Sequence, residues 1–200
     1  MNNPQISRRL MILSGAAFVL SAATPGFAIS KSSAEGLVTS LVGDVLSAIN
    51  AGGSNASKFN KFEQIFAKYA DVNIIAQKAL GPAWRSASAT QRNAYVSAFR
   101  GYMARTYGKR FDEFRGASVD VTGSKKVSGG YLVSTNVNLK GRSSIQTDWH
   151  VVDARGRDKM YNLFIEGVSV LTDVRTQIGS MLDARGGNID KLTAHLKTAG

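Results

Sequence analysis

The chain has 200 residues, a formal net charge of +11, 44% hydrophobic and 20% charged residues, and no cysteine. This length suits one domain with a sizeable core, the composition excludes a disordered segment, and the lack of cysteine excludes disulfides, thiolate nucleophiles and Cys-ligated metal sites. The positive charge indicates a polyanionic partner, which is nucleic acid, an anionic membrane surface or an acidic protein.

Residues 1–28 have the pattern of a signal peptide for export. Arg8 and Arg9 supply its positive start, and Leu10 to Ala23 form its mostly apolar centre. Gly26 and Ala28 are the small residues before a cleavage site. A membrane anchor is the alternative, which the short apolar run disfavours. The paired arginines leave open whether export uses the general secretory or the twin-arginine route.

Cleavage before Ile29 would remove two of the 25 basic residues and none of the 14 acidic ones, leaving a charge of +9. An exported protein does not usually meet nucleic acid, so the sequence predicts no nucleic-acid partner. The remaining polyanion is a membrane surface or an acidic protein on it. The alternative is a basic exported protein whose charge serves no partner.

Apolar residues at helical spacing predict the first three elements after the signal segment. Residues 32–50 carry one apolar stripe, and a glycine-containing loop at 51–55 follows. Residues 57–69 carry a second stripe that includes three phenylalanines. Asp71 is placed to cap a short third helix, which Gly81 and Pro82 terminate.

A capping box of Ser88 and Gln91 predicts a long helix that runs to about Phe114. Large side chains recur every four residues along it, at Tyr95, Phe99, Met103, Tyr107 and Phe111. A four-residue repeat drifts by about 40° per step around a helix. The stripe therefore winds slowly, as it would around a curved surface.

After Gly116 the apolar spacing changes to two, which is typical of strands. One face of two successive strands carries Tyr131, Val133, Thr135, Val137 and Leu139, then Ile145, Thr147, Trp149 and Val151. A strand with Val119 and Val121 precedes them, Gly123 to Lys126 is predicted to be a turn, and Met160 to Glu166 forms the last strand. The short connections predict an antiparallel meander.

Helical spacing returns from Val170 to Leu182 and again from Ile189 to Leu196, with Asn188 as a cap. Helices followed by a run of strands and then helices predict an α+β fold. Its architecture is a curved antiparallel sheet of about four strands packed against several helices, within one domain over residues 29–200.

No constellation of catalytic or metal-binding residues is visible in the sequence. The two histidines, His150 and His195, have no partner at metal-ligand spacing. Ser169 follows a strand and precedes a helix, which favours a capping role over a nucleophilic one. The sequence therefore predicts no enzyme activity, no metal and no cofactor.

Several short motifs recur in the order and spacing of a known family. They are Asp71-Val72, Leu80-Gly81-Pro82-Ala83-Trp84-Arg85, Thr90-Gln91-Arg92, Ala98-Phe99-Arg100, Tyr107-Gly108, Phe164-Ile165-Glu166-Gly167-Val168-Ser169-Val170, Arg175 and the last helix. On these residues the chain resembles the MlaC family of periplasmic phospholipid-binding proteins, also called the toluene-tolerance family. It departs at Asn162-Leu163, where the family usually has Asp-Val, which puts in doubt a role for negative charge there.

The resemblance implies helices and a sheet that enclose an apolar pocket for the acyl chains of a phospholipid. It implies a soluble periplasmic protein, expected to act as a monomer, whose bound phospholipid is cargo. The implied partners are an outer-membrane lipoprotein–porin complex and an inner-membrane ABC transporter complex, which together maintain outer-membrane asymmetry. A related branch is associated with hopanoid transport, so a hopanoid cargo stays open.

The sheet face and the helices that face it supply the predicted lipid-binding residues. These are Ile75, Trp84, Phe99, Met103, Tyr107, Val133, Val137, Ile145, Trp149 and Val151. Periodicity does not distinguish a cavity wall from an ordinary core, so a non-binding envelope adaptor with a filled core is an alternative. A periplasmic lipid hydrolase is another, which the missing nucleophile and base disfavour.

Overall fold

Helices stand before and after one sheet in residues 29–200, the part of the chain that the computed structural model describes. The helices are α1 (Lys31–Asn50), α2 (Asn55–Tyr69), α3 (Val72–Leu80), α4 (Ala83–Ser86), α5 (Ala89–Gly108), a 3₁₀ helix (Phe111–Phe114), α6 (Val170–Asp183) and α7 (Ile189–Leu196). The strands are β1 (Ser118–Val127), β2 (Gly130–Asn138), β3 (Ile145–Asp153), β4 (Asp158–Ile165) and β5 (Val168–Ser169). The predicted signal peptide, residues 1–28, lies outside the described residues.

The sheet is an antiparallel meander in which each strand pairs with the next along the chain. The predicted α+β class and the antiparallel sheet are therefore confirmed, with the two-residue β5 as a fifth strand. The register places Val133 opposite Trp149 and Thr135 opposite Thr147. Because side chains alternate along a strand, these residues share one face, as the spacing of two predicts.

The predicted helix caps are present. The side chains of Asp71, Ser88, Ser169 and Asn188 each accept a hydrogen bond from the backbone N–H three residues further on. Gln91 Oε1 accepts from the Ser88 N–H at 3.0 Å, which completes the capping box. These bonds satisfy amides that a helix start otherwise leaves without a partner, and they fix where the helices begin.

The prediction of a helix reaching Phe114 is wrong at its end, because α5 stops at Gly108. The ring of Phe59 lies so near that a Cβ on Gly108 would come within 2.7 Å of it. The chain then tightens, and the Glu113 N–H donates to the carbonyl of Arg110, three residues earlier. Such 3₁₀ turns are common at helix ends, and the continuing apolar spacing hid this one.

The prediction of a turn from Gly123 to Lys126 is also wrong, because β1 continues to Val127. The small and charged residues resemble a turn, yet they pair with β2 after a register shift between Val121 and Gly123. Gly123, at this shift, has a φ of 158°, which residues with a side chain rarely adopt. A bulge lets the edge strand accommodate one extra residue and continue.

Two hydrophobic clusters, which meet at α2 and Met160, form the interior. The sheet cluster joins α1 and α2 to β2 and β3, with Val38, Val133 and Val151 fully buried. The helix cluster joins α3, α5, α6 and α7, with Phe66 of α2, around Tyr95 and Phe99. Helix α1 packs across β1 to β4. Within residues 29–200, no helix combines the length and the apolar character needed to cross a membrane.

Candidate functional site

A cavity of about 280 Å³ lies between the sheet cluster and the helix cluster. Leu41 and Ile65 line it from the sheet cluster, and Met103 and Val174 line it from the helix cluster. Met160, on β4, lines the cavity and packs against both clusters. The space therefore lies where a fold of this kind would otherwise continue its core.

Helices α1 and α2 build one wall from side chains that recur once per turn. The lining residues of this wall are Leu41, Val42, Val45, Leu46 and Ile49 on α1, and Phe62, Ile65, Phe66 and Tyr69 on α2. The rings of Phe62 and Phe66 are stacked with centroids 6.5 Å apart. Because these apolar residues recur at every turn, the whole face of each helix lines the cavity.

The sheet forms another wall of the cavity, where the polar side chains of Trp149, Thr135 and Thr147 bond to one another. Trp149 Nε1 donates to Thr135 Oγ1 at 3.0 Å, and the hydroxyls of Thr135 and Thr147 are 2.6 Å apart. Thr135 is fully buried. Trp149 and Thr147, which line the cavity, therefore present no unpaired polar group to it.

Tyr69 lines the cavity while its hydroxyl donates to Asp44 Oδ2 at 2.8 Å. Lys68 Nζ contacts the same oxygen at 2.9 Å. The hydrogen bonds from Lys68 and Tyr69 hold the pKa of the Asp44 carboxyl below its usual range. The polar end of Tyr69 is thereby held at a partly exposed carboxylate, and its ring is left for the apolar lining.

Two exposed lining residues mark where the cavity opens. Arg110 precedes the 3₁₀ helix, and Ile165 ends β4. Both lie at the end of the sheet where β1 and β3 begin. Among residues 29–200, Arg110 is the only charged side chain in the lining. The cavity therefore combines an apolar interior with one cation at its mouth.

Contacts from α1 and α2 hold the segment that carries Arg110. Lys58, on α2, is only 8% exposed, and its Nζ lies 2.9 Å from both carboxylate oxygens of Asp112. Arg115 Nη2 contacts Asp112 Oδ1 at 2.9 Å as well. The Gly116 N–H donates to Asn50 Oδ1 at the end of α1. The mouth is therefore built on a fixed turn.

Tyr107 lines the cavity one helical turn before Arg110 and is half-buried. Burial, with smaller contributions from Asp173 and Tyr102, raises the pKa of Tyr107 to about 12. Its phenol is therefore neutral across the physiological pH range. Tyr107 thus adds no charge to the mouth.

Asn162 ties β4 to the start of α6 and is 8% exposed. Its Nδ2 donates to Ser169 Oγ at 3.0 Å, and its Oδ1 accepts from the Leu171 N–H at 3.0 Å and the Leu163 N–H at 2.9 Å. An aspartate at this position would also have an oxygen in place of Asn162 Oδ1 and could accept the same two hydrogen bonds. The structure therefore gives this residue a positioning role that needs an acceptor and no negative charge.

Replacing Asn162 by Leu is expected to lower the free energy of unfolding by about 1–3 kcal/mol, because the half-buried Leu171 N–H loses its acceptor. Asn162→Asp is the matched control. It keeps the acceptor, and the Ser169 hydroxyl is able to donate to it, so it should stay within about 1 kcal/mol of wild type. Urea unfolding measures both. Equal stability of the Leu variant and wild type would contradict this role.

Five of the ten predicted site residues line the cavity together: Ile75, Met103, Tyr107, Val137 and Trp149. They come from α3, α5, β2 and β3, so the structure brings together residues far apart in the chain. Their role in binding a ligand stays a prediction.

The other five predicted residues lie outside the lining. Val133 and Val151 are fully buried in the sheet cluster, and Phe99 is fully buried in the helix cluster. Trp84 packs against the helix cluster beneath the guanidinium of Arg92, 5.2 Å from its ring centre. Ile145 pairs with Val137 at the first position of β3. Any contact of these residues with a ligand stays a prediction.

Sequence reasoning missed the whole wall that α1 and α2 contribute to the lining. The one available signal was the width of their apolar faces, since α1 has apolar residues at two adjacent positions in successive turns, Leu41 and Val42, then Val45 and Leu46. That pattern fits a helix covered on a broad side. It does not say whether side chains or empty space cover it.

In the part of the chain that the structure describes, no three His, Asp or Glu side chains come together as metal ligands. His150 is half-buried with its ring edge against Tyr161, and burial lowers its pKa. Ser169 Oγ accepts hydrogen bonds from Thr172 and Asn162, as a helix cap does.

Comparison with known proteins gives two findings. A family model described as MlaC protein matches residues 39–198. A phospholipid-binding protein from Ralstonia solanacearum, whose structure was determined in complex with a phospholipid, aligns with a TM-score of 0.70 and 24% sequence identity. The alignment covers 82% of this chain and 94% of that one. At this identity the likeness shows a shared fold.

Proposed function

Since the chain belongs to the MlaC family, which is a family of lipid-binding carriers, we propose that it binds phospholipid and carries it between the two membranes of the envelope. The observation that carries this proposal is the cavity between the two hydrophobic clusters, with a single charged residue in its described lining. The fold neighbour holding a phospholipid supports the same class of ligand.

The energetics favour acyl chains as the occupant. Burial from water contributes about 0.8 kcal/mol per methylene group. A cavity lined by side chains such as Leu46, Phe66 and Trp149 supplies the apolar contact, and the polar groups of Trp149 and Thr147 in its lining are already paired. Its volume of about 280 Å³ is small for a pocket, and the flexible side chains of Met103 and Met160 are placed to move aside for a longer chain.

We further propose that residues 1–28 direct export, and that the mature single domain, residues 29–200, works in the periplasm without catalysing a reaction. Its partners in this proposal are an outer-membrane lipoprotein–porin complex and an inner-membrane ABC transporter complex. An acyl chain that is held by apolar burial leaves slowly into water, so release of the lipid requires a partner that offers an equally apolar path. The partners would therefore set the direction of transport.

The direct test is native mass spectrometry of the mature protein purified from a periplasm without detergent, with lipid extraction of the same sample. We expect a discrete mass increment equal to one phospholipid. A hopanoid increment would keep the carrier role and change the cargo. An unliganded mass, with no uptake from phospholipid vesicles, would contradict the carrier role and favour an envelope adaptor.

A further inference from the structure

We propose that Arg110 binds the phosphodiester group of the lipid at the mouth of the cavity, and so selects phospholipids over neutral lipids with the same acyl chains. This inference rests on the proposed carrier function. It assigns a role to the one charged residue that the described lining contains.

The position of Arg110 suits an amphiphile whose tails fill the cavity. Its side chain is 68% exposed while the residue lines the cavity. An acyl chain in the apolar interior leaves its polar end at the opening, where this guanidinium lies. A guanidinium presents two parallel N–H groups that match two phosphate oxygens, which is the geometry of bidentate phosphate recognition.

The present partner of Arg110 is a carboxylate that a phosphate would replace. Arg110 Nε and Nη2 lie 3.2 Å from Glu113 Oε1 and Oε2, which is a bidentate arrangement. The pair is on the surface, where such ion pairs contribute little to stability. Glu113 therefore orients the guanidinium without holding it strongly, and it competes with an incoming phosphate for the same two N–H groups.

The backbone beneath Arg110 is fixed, so the guanidinium need not be ordered by the ligand. Gly108 packs on Phe59, and Asp112 is held by the buried Lys58. Preorganised donors lose less conformational entropy when a ligand binds than donors on a mobile loop do. The fixed turn thus makes Arg110 a suitable anchor for a head group.

The test compares delipidated wild type with Arg110→Gln, Glu113→Gln and the control Arg157→Gln. Arg157 is exposed in the hairpin turn between β3 and β4, at the other end of the sheet. Each protein is titrated with short-chain phosphatidylglycerol and with diacylglycerol carrying the same chains, using calorimetry. Inorganic phosphate is titrated separately, to distinguish a lipid head group from a free anion.

We expect Arg110→Gln to weaken phosphatidylglycerol binding about tenfold or more, as loss of a charge-assisted hydrogen bond does, and to leave diacylglycerol binding unchanged. Glu113→Gln should strengthen phosphatidylglycerol binding a few-fold, because the competing carboxylate is gone. Arg157→Gln should match wild type, and inorganic phosphate alone should bind far more weakly than the lipid.

Equal affinity of Arg110→Gln and wild type for phosphatidylglycerol would overturn the inference and leave the carrier function intact. Equal loss for both lipids would overturn it too, because Arg110 would then act on cavity shape. Binding of inorganic phosphate at Arg110 as tight as the lipid would show a free-anion site instead. If wild type bound neither lipid, the carrier function itself would fail.

Discussion

Replacing Leu46 by Glu is expected to lower the lipid bound per protein molecule at least about tenfold. Leu46 lies on α1, is half-buried and lines the cavity. In the empty protein its carboxylate would be hydrated within the open cavity, so the fold should survive. A bound acyl chain would strip that water from an unpaired charge, at a cost well above the roughly 1.4 kcal/mol that a tenfold change requires.

The matched control is Ser47→Glu, which places the same charge on the adjacent, exposed position of the same helix. Uptake of a fluorescent phospholipid from vesicles measures both variants, and circular dichroism confirms that both remain folded. Wild-type uptake by a folded Leu46→Glu protein would show that acyl chains bind elsewhere. Loss of uptake in both variants would point to the charge of α1 rather than to the cavity.

Gly130→Ala is expected to give the largest loss of stability. Gly130 is buried at the start of β2 and pairs with Val127 on one side and Val152 on the other. A Cβ there would lie 1.9 Å from the carbonyl oxygen of Val151. Backbone on both sides must shift, so we expect a loss of roughly 3 kcal/mol in the free energy of unfolding, and a Tm lower by about 6–12 °C.

Gly43→Ala is the control for the substitution itself. Gly43 is exposed on α1, and an added Cβ would meet nothing within 4 Å. Because glycine weakens a helix interior relative to alanine, this variant should be more stable than wild type by up to about 1 kcal/mol. Thermal unfolding followed by circular dichroism gives both values. A wild-type Tm for Gly130→Ala would show that β2 and β3 are less closely paired here.

The sequence was sufficient for features that depend on neighbouring residues. The alternation from Tyr131 to Leu139 identified the buried face of β2, and the capping box at Ser88 located the start of α5. These two predictions are correct because local geometry sets the direction of side chains in a strand and the hydrogen bonds of the backbone amides at a helix start. The α+β class follows from the order of such elements.

The cavity itself could not be predicted from spacing, because a core and a cavity wall need the same residue types. Phe99 and Met103 stand one turn apart on α5, yet Phe99 is fully buried in the helix cluster and Met103 borders the space. Val133 and Trp149 are paired across β2 and β3, yet Val133 is fully buried in the core and Trp149 lines the cavity. Whether a residue packs in the core or lines the cavity depends on how closely helices that are distant in sequence approach one another. That distance is a property of the whole fold.

The cavity between the two clusters leaves the empty protein with fewer apolar contacts than a protein with a filled core. A bound chain completes the contact between the sheet cluster and the helix cluster, so in the proposed function the cargo supplies part of the folding free energy. That contribution departs with the lipid at delivery. In the proposed carrier cycle, the protein would therefore be least stable after delivery, when no lipid fills the space between the two clusters.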